Sequence, residues 1–295
     1  MFGAGLGAWP ALGQGRSVGD PAYGEVVRRS TSVLTAPEYS VRVVACSDDH
    51  RGWSAAEPVE TFGLVLARRG HFRLVNGGVE QAVDVTQGYT QIPGLDQRFA
   101  HPSGGDVCTF VSVGAALWHE ITGDRPTSTT VRIDGVTELA HRLLLRTAHD
   151  AADPAERLVR TVAAAARTSA SDDGGAARTP AARASRTRLV VHAREAVLDD
   201  SPASHDLVSL ARALKVSPAH LSRIFVTETG VSLTRFRNRV RVSRVLARLE
   251  AGDDDLAAIA GDLGFADQAH LTRTVRVTLG TTPARLRSAF TDGNA

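Results

Sequence analysis

Ala219-His220-Leu221-Ser222-Arg223 returns fifty residues later as Ala269-His270-Leu271-Thr272-Arg273. The likeness runs well past both pentapeptides. Upstream, Leu207, Leu210, Ala211 and Leu214 recur as Leu256, Ile259, Ala260 and Leu263, and downstream Gly230 recurs as Gly280. The offset is 49 upstream and 50 from the pentapeptide on, so the second copy carries one extra residue in its turn. A period near 50 marks a duplicated supersecondary unit. Each copy has a short helix with apolar residues at 3-1-3 spacing, a tight turn, and a second helix bearing Arg and small polar residues. That is the sequence form of a helix-turn-helix.

Outward from the repeats, the helices multiply. The pattern predicts a helix over 187–198, the first helix-turn-helix over 205–228, and a long helix over 232–250. The second helix-turn-helix is expected over 256–279, and a last helix starts at Thr282-Pro283. The long helix would span about 28 Å, comparable with the roughly 34 Å between successive major grooves. Residues 169–185, rich in Ser, Asp, Gly, Ala, Arg and Pro, read as a linker, which sets off a domain over 186–291 and leads to the expectation that 186–295 folds alone.

Ahead of the linker the period changes. Short apolar runs at Val41–Ala45, Phe62–Leu66, Phe72–Val75, Val79–Val85, Tyr89–Ile92 and Val107–Val113 alternate with turn signals such as Asn76-Gly77-Gly78. Runs this short and close predict an antiparallel barrel or sandwich. Two helices are then expected over 134–149 and 153–168, either covering the barrel or forming a dimer face. The fold class is therefore α+β: an arm over 1–38, a barrel-type domain with a helical pair over 39–168, and an all-α C-terminal domain.

Composition narrows the partners. The net charge is +2, with 16 basic and 12 acidic residues from Arg186 onward (+4) and 18 against 20 before it (−2). A basic C-terminal third suits nucleic acid. No apolar run reaches the length of a membrane span, and two cysteines in 295 residues suit a reducing compartment, with the cytoplasm as the default.

Residues 187–290 resemble the DNA-binding domain of the AraC family of bacterial transcription regulators. The resemblance rests on Leu210-Ala211 before Ser217-Pro218, on Leu221-Ser222-Arg223 with Phe225, on Thr229 through Ser232, and on Arg241. It continues with Ile259-Ala260, Leu263-Gly264-Phe265, Asp267-Gln268, Gly280, Pro283 and Leu286-Arg287. Departures are Lys215, at a turn position that favours a left-handed residue, and Leu271, Val275 and Leu286 in place of aromatics, which are expected to soften the second half. The resemblance also implies a cupin-like N-terminal domain that senses a small molecule or dimerises. Here the cupin metal motifs are broken: Gln97 stands where a His is wanted after Pro93-Gly94, His101 comes four residues late, and Gly70-His71-Phe72 offers one His where two are usual.

The DNA-reading candidates are Ala219, His220, Ser222 and Arg223 in the first copy, and Gln268, Ala269, Thr272 and Arg273 in the second. Arg pairs with guanine or phosphate, and Gln can pair bidentately with adenine. The bland alternative for Arg223 is an ion pair with Glu228, and His220 and His270 can equally lie on the flank. Cys46, His50, His101 and Cys108 match no closed zinc spacing, so neither metal nor cofactor is expected, nor any catalytic residue. The reading is a sequence-specific regulator that places two recognition helices in successive major grooves of double-stranded DNA. A homodimer, a small-molecule effector and, for an activator, RNA polymerase are the expected partners. The competing reading is a cupin-type small-molecule enzyme with a C-terminal accessory domain.

Overall fold

The computed structural model describes residues 28–47, 50–123, 129–146 and 180–291. The helix expected over 153–168 lies outside them, as do residues 1–27 and most of the linker.

The N-terminal half is built from two antiparallel sheets. Six strands pair in the order β1 (Arg28–Ala36), β2 (Tyr39–Cys46), β9 (Asp106–Val113), β4 (Phe62–Arg69), β7 (Gln87–Gln91) and β10 (Thr130–Arg132). Four pair in the order β3 (Glu57–Pro58), β8 (Asp96–Ala100), β5 (Phe72–Asn76) and β6 (Val79–Val83). All six apolar runs of the sequence are strands. Asn76 pairs with Val79 across Gly77-Gly78, so this turn closes the β5–β6 hairpin as its residues dictate. Two apolar clusters fill the half. One gathers Val41, Leu64, Leu66, Val111 and Trp118, and the other Val65, Phe72, Leu74, Tyr89 and Phe99. The stretch read as an arm over 1–38 needs correction, because residues 28–36 form β1 along β2. Their Arg, Ser and Thr content leaves β1 at the sheet edge, with no apolar run to announce it.

Two helices follow the strands, α1 (Ala115–Thr122) and α2 (Gly135–Arg146). The C-terminal half has seven: α3 (Pro180–Leu198), α4 (Leu207–Ala213), α5 (Pro218–Thr229), α6 (Leu233–Glu250), α7 (Leu256–Asp262), α8 (Gln268–Leu279) and α9 (Pro283–Thr291). Helix α3 starts at Pro180, inside the stretch read as linker, with Pro at the first helical position.

Helix α6 is the spine. Its Leu233, Phe236 and Val240 enter a cluster with Val190, Val197, Leu210, Leu221 and Phe225 of the first repeat. Its Val242, Val245, Leu246 and Leu249 enter a second cluster with Ile259, Leu271, Val275, Leu286 and Phe290. Leu271, Val275 and Leu286, which stand in place of aromatics, are all three buried in this cluster. Two partly buried residues of α2, Leu139 and Leu143, pack against the same cluster, while Leu145 packs on the barrel cluster. Helix α2 is therefore a wedge between the halves through Leu139, Leu143 and Leu145.

The two halves are joined by buried charge as well. Glu138 of α2 meets Arg239 at 2.5 Å, Arg142 at 2.9 Å and the Ser243 hydroxyl at 2.6 Å. Glu250 at the end of α6 takes Arg142 at 2.6 Å and Arg68 of β4 at 2.5 Å. On α3, Arg194 donates to Asp84, Thr86 and Gln87, and Glu195 receives both arms of Arg73. The segment expected to fold by itself thus carries one side of a polar interface whose other side is the barrel.

Candidate DNA-binding surface

The two repeats fold alike to the level of single hydrogen bonds. In the first, Asp206 caps α4 by accepting from the Ser209 amide; in the second, Asp255 caps α7 by accepting from Ala257 and Ala258. The turns then superimpose in bonding: Leu214 donates to Leu210, Lys215 to Arg212 and Val216 to Ala211, as Leu263 does to Ile259, Gly264 to Gly261 and Phe265 to Ala260. Lys215 and Gly264 both have positive φ, 57° and 69°. The departure noted in the sequence therefore has its consequence, a lysine held in the left-handed region where the second copy has glycine.

The extra residue of the second copy is Ala266, and the structure gives it an anchor. Its amide donates to Nδ1 of His270, whose ring packs edge-on against Phe265 at 5.5 Å. His270 thus braces the turn, a contact that neither reading of it had included. Past the turns, Ser217 accepts from the His220 amide and Asp267 from the His270 amide, capping α5 and α8. Both helices end on a left-handed glycine, Gly230 and Gly280.

The caps and cores fix which face looks outward. Leu221, Ile224 and Phe225 turn α5 inward, and Leu271, Val275 and Leu279 do the same for α8. Ala219 and Arg223 are left exposed on α5, with His220 and Ser222 half-buried. Gln268, Ala269 and Arg273 are exposed on α8, with Thr272 half-buried. Arg223 lies 3.5 Å from Nδ1 of His220, and Arg273 makes no hydrogen bond or ion pair among the described residues. The Glu228 partnership weighed for Arg223 does not form. Sequence reasoning missed Val226 and Val277, exposed apolar side chains one turn further along the same helices, the latter at 87% exposure. Their position one helical turn past each Arg was a readable signal.

Residues 210–289 match the family model described as a helix-turn-helix domain. The C-terminal region is an AraC-type helix-turn-helix domain. Over 87 residues the chain is 31% identical to the HTH-type transcriptional regulator Rv1931c of Mycobacterium tuberculosis, covering 30% of this chain and 34% of that protein. Over 83 residues it is 28% identical to the arabinose operon regulatory protein of Escherichia coli, covering 28% of each. The chain thus spans about a third or less of the length of the curated relatives it matches. Among solved structures, ToxT from Vibrio cholerae with bound unsaturated fatty acid is similar over 88% of this chain and 98% of its own, at 10% identity and a TM-score of 0.34.

Beneath the AraC-type domain, the barrel holds two polar clusters. Where a cupin would place a metal-binding His, Gln97 is buried in an amide chain: it donates to Asn76 at 3.3 Å and accepts from Gln91 at 3.2 Å, while Asn76 donates to the Thr90 carbonyl. Elsewhere Cys46, His101 and Asp106 come together, with Cys108 donating to Asp106 at 3.1 Å. Of the four residues weighed from the sequence, His50 lies beside this group, its ring 5.6 Å from that of His101. Asp106 had no place in the spacing argument, since strand pairing rather than sequence distance brings it to Cys46.

No described helix is long and apolar enough to cross a membrane.

Proposed function

We propose that the protein is a sequence-specific transcription regulator that sets α5 and α8 into successive major grooves of double-stranded DNA. The observation that carries this reading is the repeat itself: two equally capped helices, fixed on one spine, each presenting an exposed Arg at the same position. On this reading Arg273 and Gln268 read base edges in one half of the site, with Ala269 and Thr272 beside them. Arg223 reads the other half, flanked by Ala219, His220 and Ser222. Amides at the helix starts and neighbouring arginines hold phosphates and set the register. The broken cupin motif, filled by the amide chain at Gln97, supports a regulator over an enzyme.

The N-terminal half is the control element in this proposal. The trailing end of α8 is in close contact with the start of α2: a Cβ on Gly135 would lie 2.5 Å from the Thr278 carbonyl. A small molecule or partner that shifts the barrel has a direct route to the second recognition helix. A homodimer would use a surface other than the apolar side of α2, and RNA polymerase is the further partner if the protein activates.

Binding-site selection at fixed salt tests the mechanism. A base-contacting Arg typically accounts for about 1–3 kcal/mol and specificity at one position, whereas a phosphate-contacting Arg weakens all sequences alike. Arg273→Ala and Gln268→Ala are expected to relax the preferred base in one half-site, and Arg223→Ala about one helical turn away. Unchanged preference in both second-copy variants would reduce α8 to a backbone clamp and overturn the double reading.

A further inference from the structure

We infer that Cys46, His101 and Asp106 form a binding site for one thiophilic divalent metal ion of the zinc or cobalt type, independent of the DNA-reading surface. The three side chains are buried, and their ligand atoms all lie within 4.8 Å of one another. Cys46 ends β2 and Asp106 begins β9, directly opposite in the antiparallel register. His101 follows β8, and its Nε2 lies 3.1 Å from Oδ2 of Asp106.

The decisive atom is that Oδ2. Asp106 is 6% exposed, and the one charged group against this oxygen is the His101 imidazole, an ion-pair contact with no well-formed hydrogen bond. Its other oxygen is engaged by the Cys108 thiol at 3.1 Å, which turns Oδ2 toward Cys46 and His101. Metal ligands are typically oriented by outer partners of this kind. A buried carboxylate oxygen held by one poorly formed contact is under-satisfied, and a metal ion that displaces the His101 proton would engage all three groups at once.

The surroundings are shaped for it. The His101 ring stacks on Phe72 at 5.3 Å, and its backbone amide is fixed to the His50 carbonyl at 2.8 Å. The loop from His101 to Asp106 lies flat on the end of β2, because a Cβ on Gly105 would fall 2.3 Å from the Cys46 carbonyl. Tetrahedral zinc holds its ligand atoms about 3.5 Å apart, so side-chain rotation of about 1 Å closes the site. A thiolate, a carboxylate and a neutral imidazole balance a divalent ion, leaving no net buried charge. This donor set selects zinc, cobalt, nickel or copper over magnesium and calcium. Three protein ligands leave one position for solvent or an exchangeable group. The same loop carries Ser103, whose hydroxyl donates to Asp199 just beyond α3.

The full-length protein, stripped with a chelator and dialysed, is titrated with cobalt(II). One equivalent is expected to bind and give the intense near-ultraviolet sulfur-to-cobalt charge-transfer band, which one equivalent of zinc abolishes. With two cysteines in the chain the band is assignable. Cys46→Ser is expected to lose it and Cys108→Ser to keep it, while Asp106→Asn and His101→Ala each weaken binding more than about 10-fold. Circular dichroism confirms that each variant is folded. Absence of stoichiometric cobalt binding by the wild-type protein, or a band that survives in folded Cys46→Ser, would overturn the inference. Neither result bears on whether the protein binds DNA.

Discussion

Replacing Glu138 by Gln removes one charge and almost no volume, from a side chain that is 1% exposed at the junction of the two halves. Burial works against its carboxylate, yet the Arg239 and Arg142 guanidiniums and the Ser243 hydroxyl hold its pKa down from 4.5 to about 2. A drop of that size corresponds to about 3 kcal/mol in favour of the charged, folded form. Breaking a buried ion pair by removing one partner typically costs about 3–5 kcal/mol, which agrees. Arg142 keeps Glu250, and Arg239 keeps the carbonyls of Val85 and Asp134. The lower figure, about 3 kcal/mol, is therefore expected for Glu138→Gln at pH 7. In melting temperature this is a fall of roughly 10 °C.

The pH dependence separates charge from packing. Because the folded pKa lies below the unfolded one, the Glu138 contribution is complete above pH 4.5 and is lost as pH falls from 4.5 to about 2. His141 acts earlier. It is buried, contacts Thr109 Oγ1 at 2.6 Å, and is pushed from 6.5 to about 3 by burial and by Arg68 and Arg142, with Glu138 opposing. Its depressed pKa means that stability held above pH 6.5 is lost progressively as pH falls toward 3, by about 1.4 kcal/mol per pH unit. Urea midpoints of wild type and Glu138→Gln should therefore fall in parallel between pH 6.5 and 4.5 and converge below 4.5. A gap under about 1 kcal/mol at pH 7, or one that stays constant down to pH 3.5, would refute the charge argument.

Three further outcomes follow from the backbone and the packing. Lys215→Gly should raise stability by about 1 kcal/mol by relieving a left-handed lysine, and Gly264→Ala should lower it by a similar amount, both read by thermal melting. Gly135→Ala should cost about 1–3 kcal/mol of overpacking, since its Cβ meets Thr278 and Leu279 of α8 within 3 Å; a melt unchanged from wild type would mean that α2 is not seated on the recognition helix.

The C-terminal domain was readable because its information is local. Caps at Ser217 and Asp267, glycines at 230 and 280, and apolar triplets on each helix all lie within a few residues of what they control. The strands with alternating or continuous apolar runs were readable for the same reason. Strand β1 was not, since Arg28–Ala36 pairs at an edge with little apolar content, and β3 and β10 are too short to show a period. Among the site residues, exposure on α5 and α8 follows from helical periodicity. The grouping of Cys46 with Asp106 depends instead on the register of β2 against β9, which no local pattern encodes.

Helix α6 shows where local reading misleads. Its arginines at 235, 237, 239, 241, 244 and 248 look like one basic surface for DNA. The structure divides them. Arg239 is buried against Glu138, Arg244 donates to the Leu198 carbonyl, and Arg248 pairs with Asp253 and Asp262. Three of the six charges are thus committed to holding the spine against α2, the end of α3 and the start of the second repeat. The modest positive balance of this half overstates what it can offer to phosphates, so specificity must rest more heavily on the few exposed side chains of α5 and α8. The same commitment ties the spacing of the two recognition helices to the barrel. A change at Glu138, which touches neither helix, should be felt in both.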